Sequence, residues 1–403
     1  MGLTTVADWI GSGRFFDRPE ETWEDKIDMA LDEAGFVIPG FRHGLSFSEV
    51  FGFSPRGAQE QFFKQISGPG VYILEAPMGI GKTEAALYAA YQLLDKGKAG
   101  GVYFALPTQL TSNKIYERFN QFLDVILSSD CTHRALLLHA NAWLVQTDMG
   151  EEGRPGGAWF NQSKRGLLAP FAVGTIDQAL MAAMNVKHGF VRAFGLAGKV
   201  VILDEVHTYD TYTGTIIDAL LELLVQLDCT VLILSATLNK KRRETLLGLA
   251  TRKENYPLIT AVPKEKFRNN NDIIHELAVT AEHTKKVKIV LQKNQDEAIE
   301  EVSRRAEQGQ QILWIENTVD EAQQRYLDIA ARAFGVGIDC GLLHSRFTVE
   351  DRQRIEDKWV RLYGKDGHLQ GERQQRGRIL VGTQVLEQSL DIDADFLVSR
   401  FAL

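Results

Sequence analysis

No run in the chain reaches the roughly 20 uninterrupted apolar residues that a membrane-spanning helix needs, which excludes a transmembrane protein of that kind. The start, Met1-Gly2-Leu3-Thr4-Thr5-Val6, lacks a basic stretch followed by an apolar one, so no secretory leader is expected. Val6 stands where a myristoylation signal has Ser or Thr. Cysteine is scarce. Cys131, Cys229 and Cys340 are far apart and form neither a metal spacing nor a disulfide framework, as expected for a protein of the reducing cytoplasm. His133 and His139 have no partners at metal-ligand spacing, so they are given no metal role. Proline-rich linkers, internal repeats and low-complexity tracts are missing too. Nor is there an excess of positive charge: 45 Lys and Arg against 53 Asp and Glu leave a net charge of −8. Binding nucleic acid through bulk charge is excluded, and a local basic groove is what remains.

The 403 residues suffice for two or three domains, and 44% apolar with 24% charged residues is the balance of a globular protein. Short runs that are apolar on both faces recur: Val71-Tyr72-Ile73-Leu74, Val102-Tyr103-Phe104-Ala105, Val200-Val201-Ile202-Leu203 and Val231-Leu232-Ile233-Leu234. Strands read this way when helices cover both sides of a parallel sheet. Helix-period stretches lie between them, at Thr83–Leu94 and Thr213–Leu227, which predicts a doubly wound α/β domain. A second such unit follows the polar stretch around Pro263–Asn271. It holds Ile312-Leu313-Trp314-Ile315, a helix over 319–333, Gly341-Leu342-Leu343-His344 and Ile379-Leu380-Val381-Gly382-Thr383. The expected division is therefore 1–45 as a remnant or linker, 46–260 as the first domain and 261–403 as the second.

Ala76-Pro77-Met78-Gly79-Ile80-Gly81-Lys82-Thr83 matches the phosphate-loop pattern, with Ala for its first Gly, after a buried strand and at the start of a helix. Gly79 and Gly81 let the backbone curl so that several N–H groups converge on phosphates, and the positive end of the helix adds to that field. Lys82 is placed to reach the β- and γ-phosphates, and the Thr83 hydroxyl to ligate Mg²⁺. A chance glycine turn is the bland alternative, and the strand–loop–helix setting argues against it. Asp204-Glu205-Val206-His207 ends the strand that begins at Val200, where carboxylates face the ligand crevice of such a sheet. Asp204 is expected to hold Mg²⁺, Glu205 to orient or deprotonate the attacking water, and His207 to bridge to neighbouring motifs. Ser235-Ala236-Thr237 follows the next strand and reads as a hydrogen-bond relay, or else as an ordinary helix cap. The basic run Lys240-Lys241-Arg242-Arg243 reads as a solvated helix face rather than part of a nucleic-acid path, and Arg352 and Arg354 share that ambiguity.

In this order the segments resemble superfamily 2 helicases and translocases. Pro107-Thr108-Gln109, Gly174-Thr175-Ile176-Asp177-Gln178 and Gly382-Thr383-Gln384 with Glu387-Gln388-Ser389-Leu390-Asp391 complete the set, which covers most of the chain from about residue 50. The string at 383–393, the run His344-Ser345-Arg346-Phe347 and Ala7-Asp8-Trp9-Ile10-Gly11-Ser12 narrow the resemblance to the CRISPR-associated helicase–nucleases of type I systems. The last string resembles the end of the nuclease domain that precedes the helicase in that family, and Asp8 would be at most a residual ligand of it.

The resemblance implies two RecA-like doubly wound parallel-sheet domains, the second incomplete, behind a short helical remnant. It implies ATP and Mg²⁺ as cofactors and a motor on single-stranded DNA running 3′ to 5′. As partners it implies a crRNA-guided surveillance complex and, further, an inhibitor protein of viral origin; no membrane partner is expected. Pro77, Met78, Gly79, Ile80, Gly81, Lys82, Thr83 and Glu84 would contact the nucleotide, Gln59 with Arg56 would meet the adenine, and Asp391 would lie near the ribose or the segment 204–207. Pro107, Thr108, Gln109, Ser112, Asn113, Gly174, Thr175, Gln178, Thr383 and Gln384 would hold the DNA backbone, which positions phosphates without reading sequence.

Two departures stand out. The metal ligands of the nuclease are not found upstream, and the family's final motif, with the arginines that reach the γ-phosphate, would follow Leu403. Gln374-Gln375-Arg376-Gly377-Arg378 imitates its start but precedes the Ile379 strand, and reads as a basic loop. A missing arginine finger can cost about 10³–10⁵ in rate, so weak hydrolysis is expected of this chain alone. Two alternatives stay open: a general superfamily 2 helicase on RNA or DNA, and a nucleotide-binding scaffold without turnover.

Overall fold

A computed structural model of the chain describes residues 1–18, 20, 22–131, 133–138, 157–160, 165–184, 186–206, 211–267, 274–279, 287–333, 335, 337–364, 377–388 and 392–400. The chain divides into two compact units, Met1–Thr284 and Lys285–Leu403.

The first unit is built on β1 (Gly70–Glu75), β2 (Val102–Leu106), β3 (Leu136–Leu138), β4 (Phe171–Thr175), β5 (Val200–Asp204), β6 (Thr230–Ser235), β7 (Leu258–Pro263) and β8 (His275–Ala278). They form one eight-stranded sheet in the order β3-β4-β2-β5-β6-β1-β7-β8. From β3 to β1 the strands are parallel, and β7 and β8 extend the edge antiparallel. Each parallel strand feeds two cores, because successive side chains leave opposite faces. Tyr72, Leu74, Phe104 and Ile202 pack with the helices Lys82–Asp95 and Gln109–Ile126 on one side. Val71, Ile73, Tyr103 and Val201 pack with Ile176–Ala183, Gly189–Leu196 and Thr211–Gln226 on the other.

In the second unit β9 (Gln311–Ile315), β10 (Asp339–Leu343), β11 (Arg378–Gly382) and β12 (Phe396–Ser399) form a parallel sheet ordered β10-β11-β9-β12. Ile312, Trp314, Ile379 and Val381 meet the helices Gln295–Glu307 and Val319–Ala333. Leu313, Ile315 and Leu380 meet Trp359, Leu362 and Tyr363 of the helix Val349–Tyr363.

One expectation about organisation is corrected. The division falls after Thr284 and not near 260, because β7 pairs antiparallel with β1, Val262 beside Val71, and buries Leu258, Ile259, Ala261 and Val262 in the first unit's cores. The N-terminal residues, expected as a remnant or linker, pack on this unit. The helix Gly2–Gly11 lies so close to Gly189–Leu196 that a Cβ on Gly2 would stand 2.4 Å from Phe194 Cβ, and Val6 joins the second core cluster with Trp9 and Phe36 packed against it.

Candidate nucleotide site and nucleic-acid edge

The parallel strands of the first unit all end at one edge. Glu75 of β1 pairs with Ser235 of β6, Asp204 of β5 with Leu234, and Leu106 of β2 with Thr175 of β4. The segments expected to bind nucleotide and nucleic acid therefore emerge side by side at the carboxyl ends of the strands, where ligands of open α/β sheets are held.

The phosphate loop is shaped by two left-handed glycines and by two side chains from the helix Gly57–Gln65 and its cap. Gly79 and Gly81 have φ of +79° and +83°. Arg56 Nη1 donates to the carbonyl of Gly79 at 2.7 Å, and Gln59 Nε2 donates to that of Gly81 at 2.8 Å. A trans peptide points its N–H away from its C=O, so drawing these two carbonyls toward the helix turns the N–H groups of Ile80 and Lys82 to the opposite side. That is an anion-binding concavity, at the start of a 14-residue helix. Gln59 is buried, and its Oε1 accepts from Arg56 N at 2.8 Å, so one end of its amide caps its own helix while the other holds the loop. Pro77 and Ile80 are half-buried, while Met78 and Gly79 are exposed along the loop's rim. Lys82 Nζ is buried and donates to Ala76 O at 2.9 Å. Burial lowers its pKa, opposed by the nearby charges of Glu205 and Asp204. Glu84 in the helix's first turn is ion-paired with Arg118.

Asp204 closes β5, and Glu205 turns the chain with a φ of +53°, its N–H donating to Leu234 O at 2.9 Å and to Asp204 Oδ1 at 3.0 Å. Burial, reinforced by the Glu205 charge, pushes the Asp204 carboxyl up to about 7 although Lys82 opposes it. Two adjacent carboxyls held against their own repulsion, with a hydroxyl residue, Thr83, in the first turn of the loop's helix, make an oxygen-donor set. Mg²⁺ takes such a set: one or two carboxylates, with its other positions left for water and phosphate. His207, Asp391 and His139 lie outside the described residues.

Of the residues expected on nucleic acid, Thr108 caps the 18-residue helix Gln109–Ile126, its Oγ1 accepting from Thr111 N at 3.2 Å. Pro107, Gln109, Asn113 and Gln178 are half-buried near the same edge. Ser112 is fully buried, and its hydroxyl donates to Thr108 O at 2.8 Å beneath the cap. Gly174 is buried within β4, where a Cβ would come within 2.3 Å of Leu138 O, so glycine serves the pairing with β3. Thr175 ends β4 with its carbonyl accepting from Tyr103 Oη at 2.7 Å and is almost buried. In the second unit Thr383 is almost buried at the end of β11, and Gln384 beside it is exposed.

A family model for DEAD/DEAH box helicases matches residues 56–245, and one for the C-terminal part of the CRISPR-associated nuclease/helicase Cas3 matches 308–403. Over the whole chain the sequence is 35% identical to the CRISPR-associated nuclease/helicase Cas3 of Streptococcus thermophilus, covering 47% of that protein. The chain belongs to the Cas3 family. It spans about half the length of the curated Cas3 relatives it matches. The crystal structure of T. fusca Cas3 with ATP superposes with a TM-score of 0.85 at 31% identity, over 100% of this chain and 50% of that one. A chain of a CRISPR RNA-guided surveillance complex in a pre-nicking state matches with a TM-score of 0.67 at 31% identity, over 100% of this chain and 46% of that one.

Within this Cas3 core, two basic segments depart from the sequence expectation. The helix Lys240–Leu247 is capped by Asn239, whose side chain accepts from Arg242 N at 2.8 Å, so Ser235 and Thr237 are not its cap. Its basic run is a solvated face only in part: Lys241 is exposed, but Arg242 pairs with Asp218 at 2.9 Å, and Arg243, 2% exposed, donates from Nη1 to both oxygens of Glu75 at 2.9 and 2.7 Å. Arg378 is the buried first residue of β11 and no part of a basic loop, while 374–376 lie outside the described residues. Arg352 and Arg354 pair with Glu356 and Asp351 of their own helix. Glu75, Arg243 and Tyr256, whose hydroxyl donates to Ala236 O at 2.8 Å, carry no sequence signal of a role.

Proposed function

We propose that this chain is the ATP-driven motor segment of a CRISPR helicase–nuclease, moving 3′ to 5′ along single-stranded DNA delivered by a crRNA-guided surveillance complex. The observation that carries it is the meeting, at one sheet edge, of the Lys82 loop with the Asp204–Glu205 pair, next to the capped Thr108 turn and the end of β4.

The N–H groups turned outward by Arg56 and Gln59 bind the phosphates, and Lys82 leaves Ala76 O to lie against the terminal ones. Thr83 and Asp204 would hold Mg²⁺, which when bound offsets charge on the β- and γ-phosphates. Glu205 orients the attacking water and takes up its proton. In the first unit Thr108 and Thr175, with Pro107, Gln109, Asn113 and Gln178 near them, hold a sugar–phosphate backbone and leave the bases unread, and in the second unit Thr383 and Gln384 make contacts of the same kind.

Strand-stimulated ATP hydrolysis by the protein and its Lys82→Ala variant tests this reading. Stimulation by single-stranded DNA over RNA, a loss on the order of 10²-fold or more in the variant, and unwinding of 3′-tailed but not 5′-tailed duplexes are expected. Equal stimulation by RNA favours a general helicase. Tight ATP binding by Lys82→Ala removes the basis of the proposal.

A further inference from the structure

Arg243 lies at the centre of a buried network that the nucleotide site does not by itself require. Besides Glu75, its guanidinium donates from Nη2 to Lys253 O at 2.7 Å and to Thr251 Oγ1 at 3.4 Å, and its Nε faces Glu276 of β8 at 3.8 Å. Glu276 in turn accepts from the N–H groups of Arg252 and Lys253, both at 2.9 Å, and Glu244 from Thr251 N at 2.9 Å. Five donors fixed in a plane let one arginine reach all of these groups, and a lysine could satisfy only part of them.

Two routes join this network to the nucleotide loop and the Ser235-Ala236-Thr237 segment. Glu75 is the residue before Ala76, whose carbonyl accepts from Lys82 Nζ and whose N–H donates to Ser235 O at 3.0 Å. From the other side, the segment 251–256 that Arg243 and Glu276 pin presents Tyr256, whose hydroxyl holds Ala236 O. Burial, and after it the charges of Glu75 and Glu205, raise the pKa of that phenol. Tyr256 is half exposed, so its hydroxyl contributes less to the core than to the position of Ala236.

We propose that Arg243 is a positioning residue that ties the root of the phosphate loop to the Ser235-Ala236-Thr237 segment, with Tyr256 as the contact that passes loop occupancy to that segment. This rests on the reading of the Lys82 loop as a nucleotide site. A displacement of Ala76 when Lys82 releases its carbonyl would be carried through Glu75 and Arg243 to residues 251–256, and through Tyr256 to Ala236.

Amide hydrogen exchange with and without a non-hydrolysable ATP analogue tests it, in the 403-residue chain and its Arg243→Lys and Tyr256→Phe variants. In the parent, the analogue is expected to slow exchange over both 76–83 and 235–256. In the variants the dissociation constant should stay within about threefold and protection of 76–83 should persist, while protection of 235–256 falls by half or more. A purely structural role would weaken both segments together, or leave both unchanged, and either result overturns the proposal. Arg243→Lys bears on the brace and Tyr256→Phe on the last contact, and the phenylalanine variant keeps the test decisive if the lysine variant fails to fold. A parent chain that binds no analogue shows, before any variant is made, that the nucleotide reading has failed and the inference with it.

Discussion

At the scale of single residues, Asp204 is a group whose function opposes the stability of the fold. Its carboxyl, raised from 3.8 to about 7 by burial and by Glu205, holds a proton in the folded chain over a pH range where the unfolded chain has released it. The folded state thus binds more protons between those values, and its stability falls as pH climbs from about 4 to 7. Asp204→Asn should remove that fall. The nucleotide-free variant is expected to gain about 1–3 kcal/mol at pH 8, to gain little near pH 4, and to lose Mg²⁺-dependent nucleotide binding. Thermal melts across that range check it, and a variant that melts below the parent at pH 8 contradicts it. Arg243 and Glu75 pull the other way. Removing one partner of a buried ion pair leaves an uncompensated charge, so Glu75→Gln should cost about 3–5 kcal/mol, read from denaturant unfolding. The two acids of the site were legible because they close an apolar strand at 200–203. Glu75 and Arg243 were not, since they are 168 positions apart and an arginine in a basic run reads as solvated until its partner is found in space.

At the scale of elements, what could be read from the chain follows how each element is buried. The core strands β1, β2, β5, β6, β9 and β11 are covered on both faces, so their interior positions are apolar and the run stands out. β8 and β12 are four residues each, a mixture of half-buried and exposed positions, too short for a period to show. β7 was lost to a different cause: it pairs antiparallel with β1 across a sequence separation that no local pattern reports, which moved the expected domain boundary too early. The glycines of the phosphate loop were legible as a motif, but their two costs differ and the difference is testable. Both sit at positive φ, yet a Cβ on Gly79 meets open space, whereas on Gly81 it would stand 2.2 Å from Gln59 Nε2. Gly79→Ala should therefore cost only the backbone strain, about 1–2 kcal/mol. Gly81→Ala should displace Gln59 as well and weaken nucleotide binding at least tenfold more than Gly79→Ala, as measured by titration of a fluorescent ATP analogue. Equal losses would mean that Gln59 does not set the loop.

At the scale of the whole molecule, two units with separate cores make a single two-state transition an unsafe description. The N-terminal 45 residues belong to the first of them in a specific way. Arg165 lies over the Trp9 ring at 4.8 Å and over the Trp159 ring at 4.3 Å, and Trp9 also packs near His188 at 5.9 Å. Trp9 thus holds the helix Gly2–Gly11 to the sheet through an arginine 156 positions away, which no reading of the first 45 residues in isolation could reveal. Trp9→Ala should remove that stacking and open a gap beside the second core cluster, at a cost of about 2–4 kcal/mol. Ile312→Ala, at a fully buried position of β9, should cost about 2–5 kcal/mol in the other unit. Hydrogen exchange resolved along the sequence separates the two effects: Trp9→Ala should speed exchange in the strands of Met1–Thr284 and leave β9 and β11 as they were, and Ile312→Ala should do the reverse. If either substitution loosens both sheets equally, the two cores unfold as one, and the N-terminal helix stabilises the entire chain and not the nucleotide-binding unit alone.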